Sequence, residues 1–289
     1  MESKITIRRS LFFLPAILLL AVFFVTPMLM TVYYSFTNLA LTGAAALHTE
    51  FIGLENFRRM FSDPRFFVSV QRTLVFLFFS AIIGQCFLGF SIAFLMREKN
   101  KYFRRFVGIT VIAAWVTPEI VAAFNIVVFF GHGGTLNRVL ELVDIAPVAW
   151  MFQFPMASVI VANIWRGTAF SMIVFQAALD DIPKEIEEAA AIDGAGRWRV
   201  LWHVTIQMVK GTITTNMMLV TLQTLGVFTL IFAMTGGGPG DATMTLPLFM
   251  YQQAFIGFQL GYGTAISLVL LLIGAVFSLL YMRSLNVKI

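Results

Sequence analysis

EAAAIDGAG, residues 188–196, is a short polar stretch set between two long apolar blocks of a 289-residue chain. The polar segment that contains it runs over residues 180–210. A chain with long apolar blocks has little reason to interrupt them at this length unless another protein docks there. Residues 180–210 are therefore the first candidate for a functional segment.

The local pattern of this segment predicts two helices joined by a sharp corner. Asp181 suits a helix N-cap, and Pro183 suits the first turn. Gly194 and Gly196 permit the left-handed residue that ends such a helix, and a second helix is predicted over residues 198–209. Small alanine side chains beside the corner would let another protein approach closely. A solvated connecting loop is the alternative interpretation.

The composition of the whole chain is that of a membrane protein. Hydrophobic residues make up 59% of it and charged residues only 12%, with a mean hydropathy of +0.86. A soluble domain carries about 25% charged residues, so much of this chain must be solvated by lipid. The single Cys86 excludes an internal disulfide. The three histidines are scattered along the chain, so together with the one cysteine they are not expected to form a set of metal ligands.

Six apolar blocks are long enough to cross a bilayer, which takes about 20 residues per helix. Their runs are continuous rather than alternating, which favours helices over strands. Only Glu119 and Arg166 bring charge into them. The blocks are residues 11–36, 73–96, 106–130, 151–179, 211–234 and 264–282.

Lys and Arg in the connections predict the orientation of these spans. With the N-terminus inside, the inner segments hold fourteen basic residues and the outer segments only five. The sequence therefore predicts that both termini are cytoplasmic. The net charge of +5 is thereby explained as a topology signal, and binding of nucleic acid is not expected. The first block is longer than the 7–15 residues of a signal-peptide core, which favours an uncleaved anchor.

Residues 188–196 resemble the EAA loop of ABC-importer permeases, which receives force from a cytoplasmic ATPase. Further stretches are similar to signatures of the sugar permeases, in particular the larger type found in maltose importers. Gln207 stands where the usual motif ends in Pro, which leaves open the bend after the second helix. The stretches are FIGLENF (51–57), NIWRGTAF (163–170), TGGGP (235–239), YQQAF (251–255) and GYG (261–263).

The resemblance implies an all-α membrane protein with six transmembrane helices, the type I ABC-importer permease fold, in one transmembrane domain over residues 1–289. It implies a permease subunit of the bacterial or archaeal cytoplasmic membrane that forms half of a pathway for a carbohydrate, with an oligosaccharide expected. The implied partners are a second permease subunit, two cytoplasmic ATPase subunits and an extracytoplasmic sugar-binding protein, besides the membrane lipid. ATP and Mg²⁺ would be bound by the ATPase subunits, so this chain is not expected to be an enzyme or to bind a cofactor.

The resemblance also implies roles for particular residues. Those of the ATPase-coupling loop, residues 180–210, are Glu187, Glu188, Ala189, Ala190, Asp193 and Gly194. Those expected to contact the sugar are Arg166, Gly167, Phe170, Val220, Gln223, Thr224 and Val227. The last four are spaced i, i+3, i+4 and i+7, which places them on one helix face. Contact between helices through small polar side chains is the alternative role for that face.

Glu119 and Arg166 are the two charges expected inside the membrane, and each costs several kcal/mol in hydrocarbon. They must therefore face a partner or a wet cavity. Pro118 breaks the third helix and frees carbonyl groups that a cavity would use. A structural ion pair between the two side chains and a direct sugar contact through Arg166 are both open, with Glu119 included among the candidate substrate residues.

Two other classes of function compete with the importer. An ion-coupled carrier would use Glu119 as its proton or sodium site and would need no docking corner. A membrane scaffold would have no pathway at all. The sequence contains no Gly-x-x-x-x-Gly-Lys-Ser/Thr run, so hydrolysis of ATP is expected on a separate subunit.

Overall fold

The computed structural model describes residues 12–284, and these residues are almost entirely helical. They form no strand beyond an isolated bridge between Thr37 and Phe51. In chain order the helices are α1 (Leu14–Tyr34), α2 (Glu55–Ser62), α3 (Pro64–Met96), α4 (Lys101–Val116), α5 (Glu119–Phe130), α6 (Thr135–Glu141), α7 (Pro155–Asp180), α8 (Lys184–Ile192), α9 (Arg197–Leu225), α10 (Thr229–Thr235), α11 (Leu246–Tyr251) and α12 (Leu260–Ser284).

The prediction of an all-helical membrane protein is confirmed. Five segments of the described chain are long and apolar enough to cross a membrane, namely α1, α3, Glu119–Glu141, α7 and α12. A sixth is formed if α9 and α10, which are bent by 50° at a short break, count as one span. These six correspond in order to the six apolar blocks. The predicted start of the first block at Leu11 lies outside the described residues.

The helices differ from the predicted blocks at two places, and the break predicted at Pro118 is confirmed. The second span begins at Pro64, so Arg72 lies on α3 rather than in an outer loop. The third block is split into α4 and α5, because the ring of Pro118 removes a backbone donor and holds the chain extended. The fifth block is interrupted at Gly226, after which α10 begins at Thr229.

One compact unit comprises Met1–Phe66 and Phe249–Leu271. Its FIGLENF stretch fixes the end of α1, because the buried amide of Asn56 donates to the carbonyl oxygens of Ser35 (2.9 Å) and Thr37 (2.8 Å). The guanidinium of Arg59 lies 4.4 Å from the ring centre of Tyr262 in the GYG stretch. Two of the sequence signatures therefore have a structural role in holding this unit together.

The second compact unit comprises Phe67–Leu248 and Leu272–Ile289. Its central helix is α7, which packs against α3, α4 and α9. Large side chains fill the space between these helices, and Phe90 and Phe175 meet edge to face at 5.5 Å. The buried cluster is Ala93, Met96, Met172, Phe175, Leu179, Ile182 and Val209.

The TGGGP stretch closes a tight turn in this second unit. The Thr235 and Thr243 hydroxyl oxygens are 2.6 Å apart, and the Thr243 hydroxyl also donates to the carbonyl oxygen of Gly238. Gly236 (φ +59°) and Gly237 (φ +98°) adopt left-handed conformations that favour glycine. The TGGGP stretch is therefore a glycine-rich turn, and α11 begins after it at Leu246.

Close contact between α3 and α7 requires a glycine at position 89. A Cβ atom there would lie 2.4 Å from the Ser171 Cβ and 2.8 Å from the Met172 backbone nitrogen. Gly89→Leu is therefore expected to lower the free energy of unfolding by about 1–3 kcal/mol or more, measured by thermal unfolding of the purified protein in detergent. Gly108→Leu on α4 is the matched control, since nothing lies within 4 Å of that position. Equal losses in the two variants would contradict the assigned packing.

Candidate functional site

The helix predicted in the polar segment is α8, but it does not begin as expected. Asp181 follows the last residue of α7 and makes no cap for α8. Pro183 itself occupies the N-cap position, where its extended backbone (ψ 130°) turns the chain into the helix. The predicted N-cap role of Asp181 is therefore wrong, because the long helix before it continues to Asp180.

The corner after α8 is built by a left-handed glycine. Gly194 has φ +82°, and its N–H donates to the carbonyl oxygen of Ala191 at 3.0 Å. The N–H of Ala195 donates to the carbonyl oxygen of Ala190, also at 3.0 Å. This pair of bonds is the Schellman motif that ends helices. The prediction is confirmed for Gly194 and wrong for Gly196, whose φ of −69° is open to other residues.

The second helix of the segment does not stop at Val209. It begins at Arg197 and continues as α9 to Leu225, with a π-type turn over Leu201–Thr205. The helix continues through Gln207, which keeps the backbone N–H that a proline would remove. The corner at Gly194 is therefore followed by one unbroken helix, α9, which forms the first part of the fifth span.

Glu187 faces the body of the second unit rather than the surface. Its carboxylate accepts from Arg97 Nη1 at 2.6 Å and from the Thr205 hydroxyl at 2.9 Å. Arg97 Nη2 also donates to the carbonyl oxygen of Ile182 at 3.3 Å. These bonds tie α8 both to the end of α3 and to the start of α9. Glu187 is therefore an anchor of the predicted coupling loop.

The other predicted coupling residues lie on the surface of the segment. Glu188, Ala189, Asp193 and Gly194 are exposed, and Ala190 is half-buried. Beside them is an apolar patch that the sequence analysis missed, formed by Ile192 (86% exposed), Trp198 (76%) and Trp202 (60%). The sequence signal for this patch was the presence of Trp198 and Trp202 in an otherwise polar segment. An exposed apolar patch next to a helical corner is typical of a protein-binding surface.

Arg97→Met is expected to loosen α8, because the Glu187 carboxylate would keep only the Thr205 hydroxyl as a partner. Bonds to charged groups contribute about 1.5–3 kcal/mol, so amide hydrogen exchange in residues 184–192 should rise by about tenfold or more. Arg104→Met is the matched control, because it also removes an arginine ion pair, in this case with Asp180 at the end of α7. Unchanged exchange in the Arg97 variant would contradict the anchoring role.

The two charges inside the apolar blocks form an ion pair. Arg166 Nη1 on α7 lies 3.2 Å from Glu119 Oε1, and the side chains are 24% and 30% exposed. Glu119 is the first residue of α5, where the helix dipole favours a carboxylate. Arg166 Nε is buried and has no partner among the described residues. Because nearly all buried polar atoms are paired, Glu119 alone does not fully satisfy the guanidinium.

Gly167 and Phe170 extend this site along α7. A Cβ at Gly167 would lie 2.3 Å from the carboxamide of Gln85, whose Nε2 donates to the Asn163 carbonyl oxygen at 3.2 Å. Gly167 therefore makes room for a polar side chain of α3. The Phe170 ring lies 6.2 Å from the ring of Trp115 on α4, a neighbour that the sequence analysis did not identify. The only sequence signal for Trp115 was an aromatic residue three positions before Pro118.

The residues predicted on the fifth span do not share one helix face. α9 ends at Leu225, so Val227 lies beyond it in the break before α10. Val220, Thr224 and Val227 are buried, and Gln223 is exposed. Val220 lies in a buried cluster against which Phe170 packs. The structure therefore pairs Glu119 with Arg166 and packs Phe170 against the cluster that contains Val220.

The comparisons with known proteins agree with this architecture. Residues 85–285 match the family model of the binding-protein-dependent transport system inner membrane component. The chain is 31% identical to the sulfoquinovosyl glycerol transport system permease protein SmoG of Agrobacterium fabrum, over 95% of this chain and 89% of SmoG. It is 28% identical to the trehalose/maltose transport system permease protein MalF of Thermococcus litoralis, over 98% of this chain and 96% of MalF.

Solved structures show the same fold. A chain of the bacterial alginate ABC transporter, crystallised with an alginate pentasaccharide-bound periplasmic protein, superposes with a TM-score of 0.84 at 20% identity. The match covers 100% of this chain and 98% of that chain. Together with the five or six candidate spans of the described residues and the length of the family match, these similarities settle the class of protein. The chain belongs to the family of inner-membrane components of binding-protein-dependent transport systems and is an ABC-importer permease.

Proposed function

We propose that this permease forms half of a transmembrane pathway for a carbohydrate, with an oligosaccharide as the expected cargo. The observation that carries the proposal is the exposed corner at Gly194, which one continuous helix connects to the fifth span. The relatives add the substrate class, since they are named for sulfoquinovosyl glycerol, for trehalose and maltose, and for multiple sugars.

The orientation that fits this role places both termini and the α8 corner in the cytoplasm. The excess of basic residues in the inner segments supports it. In that orientation the apolar patch of Ile192, Trp198 and Trp202 faces the compartment that contains ATP. The patch and the exposed face of α8 then dock a cytoplasmic ATPase subunit.

The assembly we propose contains this chain, a second permease subunit, two ATPase subunits and an extracytoplasmic sugar-binding protein. The name of the matched family and the periplasmic protein bound to the alginate transporter support the last of these. ATP and Mg²⁺ are bound by the ATPase subunits, and this chain holds no cofactor. Closure of the ATPases displaces the corner, and α9 transmits the displacement to the fifth span.

The sugar pathway we propose passes the ion pair of Glu119 and Arg166, with Phe170 one helical turn along α7. Charged groups with 24% and 30% exposure inside a span face a wet region, because contact with hydrocarbon would be unfavourable. Val220, Thr224 and Val227 are buried in this conformation. Contact of these three side chains with substrate therefore requires another conformation of the transport cycle. Gln223, in contrast, is already exposed in this conformation.

Co-purification tests the docking part of this proposal. The tagged chain is co-expressed with its ATPase subunits and its second permease subunit and is isolated in detergent. We expect the ATPase to be retained by the wild-type chain and lost when Trp198 is replaced by Glu. The control variant is Arg138→Glu, which lies on α6 outside the docking segment. Retention of the ATPase by the Trp198 variant would contradict docking at the corner.

A further inference from the structure

We propose that the N-terminal end of α4 and the turn before it bind an anionic phospholipid. The headgroup site consists of three exposed cations, Lys99, Lys101 and Arg105, which we call the basic patch. An open apolar face of α4 holds an acyl chain of the same lipid. The proposal concerns the surrounding lipid, so it does not depend on which solute is transported.

The structure divides the five basic side chains of residues 97–105 into two groups. Arg97 and Arg104 turn inward and form ion pairs with Glu187 and Asp180. The three side chains of the basic patch are exposed, and they have no ion pair within residues 12–284. A topology signal requires only that the charges lie in the connecting segment. The exposed group is therefore available to hold an anionic partner as well.

The basic patch continues into an apolar stripe along α4. Lys101 and Arg105 are four residues apart, so their side chains are neighbours on one helix face. The same line along the helix passes through Ile109 (59% exposed) and Val116 (70% exposed). On the other side of α4, Val111 packs against the buried cluster of the second unit. A cationic end followed by an open apolar stripe matches the two parts of a phospholipid, its phosphate and its acyl chain.

Two exposed aromatic side chains place the basic patch at the depth of the headgroups. Tyr102 is 86% exposed, and Phe106, one helical turn further along, is 69% exposed. Tyrosine is enriched at membrane–water interfaces because its ring is apolar and its hydroxyl is polar. The Tyr102 hydroxyl can donate a hydrogen bond to a phosphate oxygen, whereas Phe106 is the first residue of the third apolar block.

The charge of the site favours an anionic headgroup over a zwitterionic one. Glu98 is also exposed, so the basic patch and this neighbour carry a net charge of +2. Each Lys or Arg near a membrane surface strengthens the attraction to anionic lipid by about fivefold. A zwitterionic headgroup brings its own cation and gains less. An acidic segment of a partner protein would match the charge, but only a lipid also matches the stripe that continues into the third apolar block.

Native mass spectrometry of the complete assembly, in detergent mixed with phosphatidylglycerol and phosphatidylcholine, tests the site. Lys101→Gln combined with Arg105→Gln is expected to weaken binding of phosphatidylglycerol by about tenfold or more and to leave retention of phosphatidylcholine unchanged. The matched control combines Lys210→Gln with Arg283→Gln, which removes two other exposed cations beside apolar spans. Unchanged binding of phosphatidylglycerol in the first variant, or an equal loss in both variants, would overturn the proposal.

Two further measurements separate the site from loss of folding and from a protein partner. Lys101→Arg combined with Arg105→Lys keeps both charges and should bind phosphatidylglycerol as the wild type does. Raising ammonium acetate from about 0.1 M to about 1 M shortens the screening length from about 10 Å to about 3 Å, so the wild-type preference for phosphatidylglycerol should disappear. A preference that persists at high salt would overturn the proposal. Loss of the ATPase subunit from the glutamine variant, with lipid binding unchanged, would assign the basic patch to a protein and overturn it too.

Discussion

Replacing Gly194 by valine is expected to reduce ATP-driven uptake by at least about tenfold, since a barrier change of 1.4 kcal/mol corresponds to a tenfold rate change. Gly194 holds a left-handed backbone (φ +82°), and a β-branched residue there costs about 1–3 kcal/mol. The strain falls on the corner between α8 and α9. Loss of that corner moves the exposed docking patch relative to the fifth span.

Gly196→Val is the matched control for this experiment. Gly196 lies two residues further on, has φ −69°, and has nothing within 4 Å of its Cβ position. Both variants are assayed in the same proteoliposomes for uptake and for retention of the ATPase subunit. A large loss in the Gly194 variant alone is the expected result. Comparable losses in both variants would mean that small size, rather than backbone conformation, matters at this corner.

Arg166→Ala is expected to produce the other large effect, a fall in both stability and uptake. The Glu119 carboxylate would then lie in a membrane span without its partner, which costs about 3 kcal/mol. Glu119→Ala leaves the guanidinium in the same position and should destabilise the protein comparably. The double variant removes both charges, so its stability should recover relative to either single variant.

The two readouts of this cycle separate the structural and the substrate roles of the pair. Stability is measured by thermal unfolding in detergent, and uptake is measured with ATP inside proteoliposomes. We expect the double variant to regain stability but not uptake, because the hydrogen-bonding groups for the sugar are gone. Recovery of both would show that the pair is structural only. Additive losses of stability would contradict the ion pair itself.

Features that depend on local chemistry were predictable from the sequence. The six spans follow from continuous apolar runs, and the break between α4 and α5 follows from Pro118. The left-handed residue at Gly194 follows from a glycine after an alanine-rich helix. Boundaries were less predictable where two helices compete for the same residues. Asp181 fits an N-cap, yet α7 extends to Asp180 and leaves that role to Pro183.

Most features that depend on distant pairing were not predictable, and the ion pair of Glu119 and Arg166 is the exception. Arg97 and Glu187 are separated by ninety positions in the chain, and neither neighbourhood indicates the other. The contact of Trp115 with Phe170 likewise depends on how α4 packs against α7. The ion pair of Glu119 and Arg166 was foreseen as one of two alternatives, because only two charges lay in the apolar blocks.

The predicted helix face of the fifth span shows the limit of spacing arguments. Val220, Gln223, Thr224 and Val227 have helical spacing, but spacing assumes that the helix continues. α9 ends at Leu225, and the break at Gly226 takes Val227 off the face. Burial then separates Val220 and Thr224 from the exposed Gln223. Where a helix stops inside an apolar block depends on packing that the sequence does not display.

We propose that the energy of ATP hydrolysis on partner subunits reaches the sugar pathway through the α8–α9 corner of this chain. The most direct test measures sugar accumulation in proteoliposomes that contain either the complete assembly or this chain alone. We expect accumulation only with the ATPase subunits, the second permease, the binding protein and ATP. Uphill movement of solute by this chain alone, driven by a proton or sodium gradient, would contradict it.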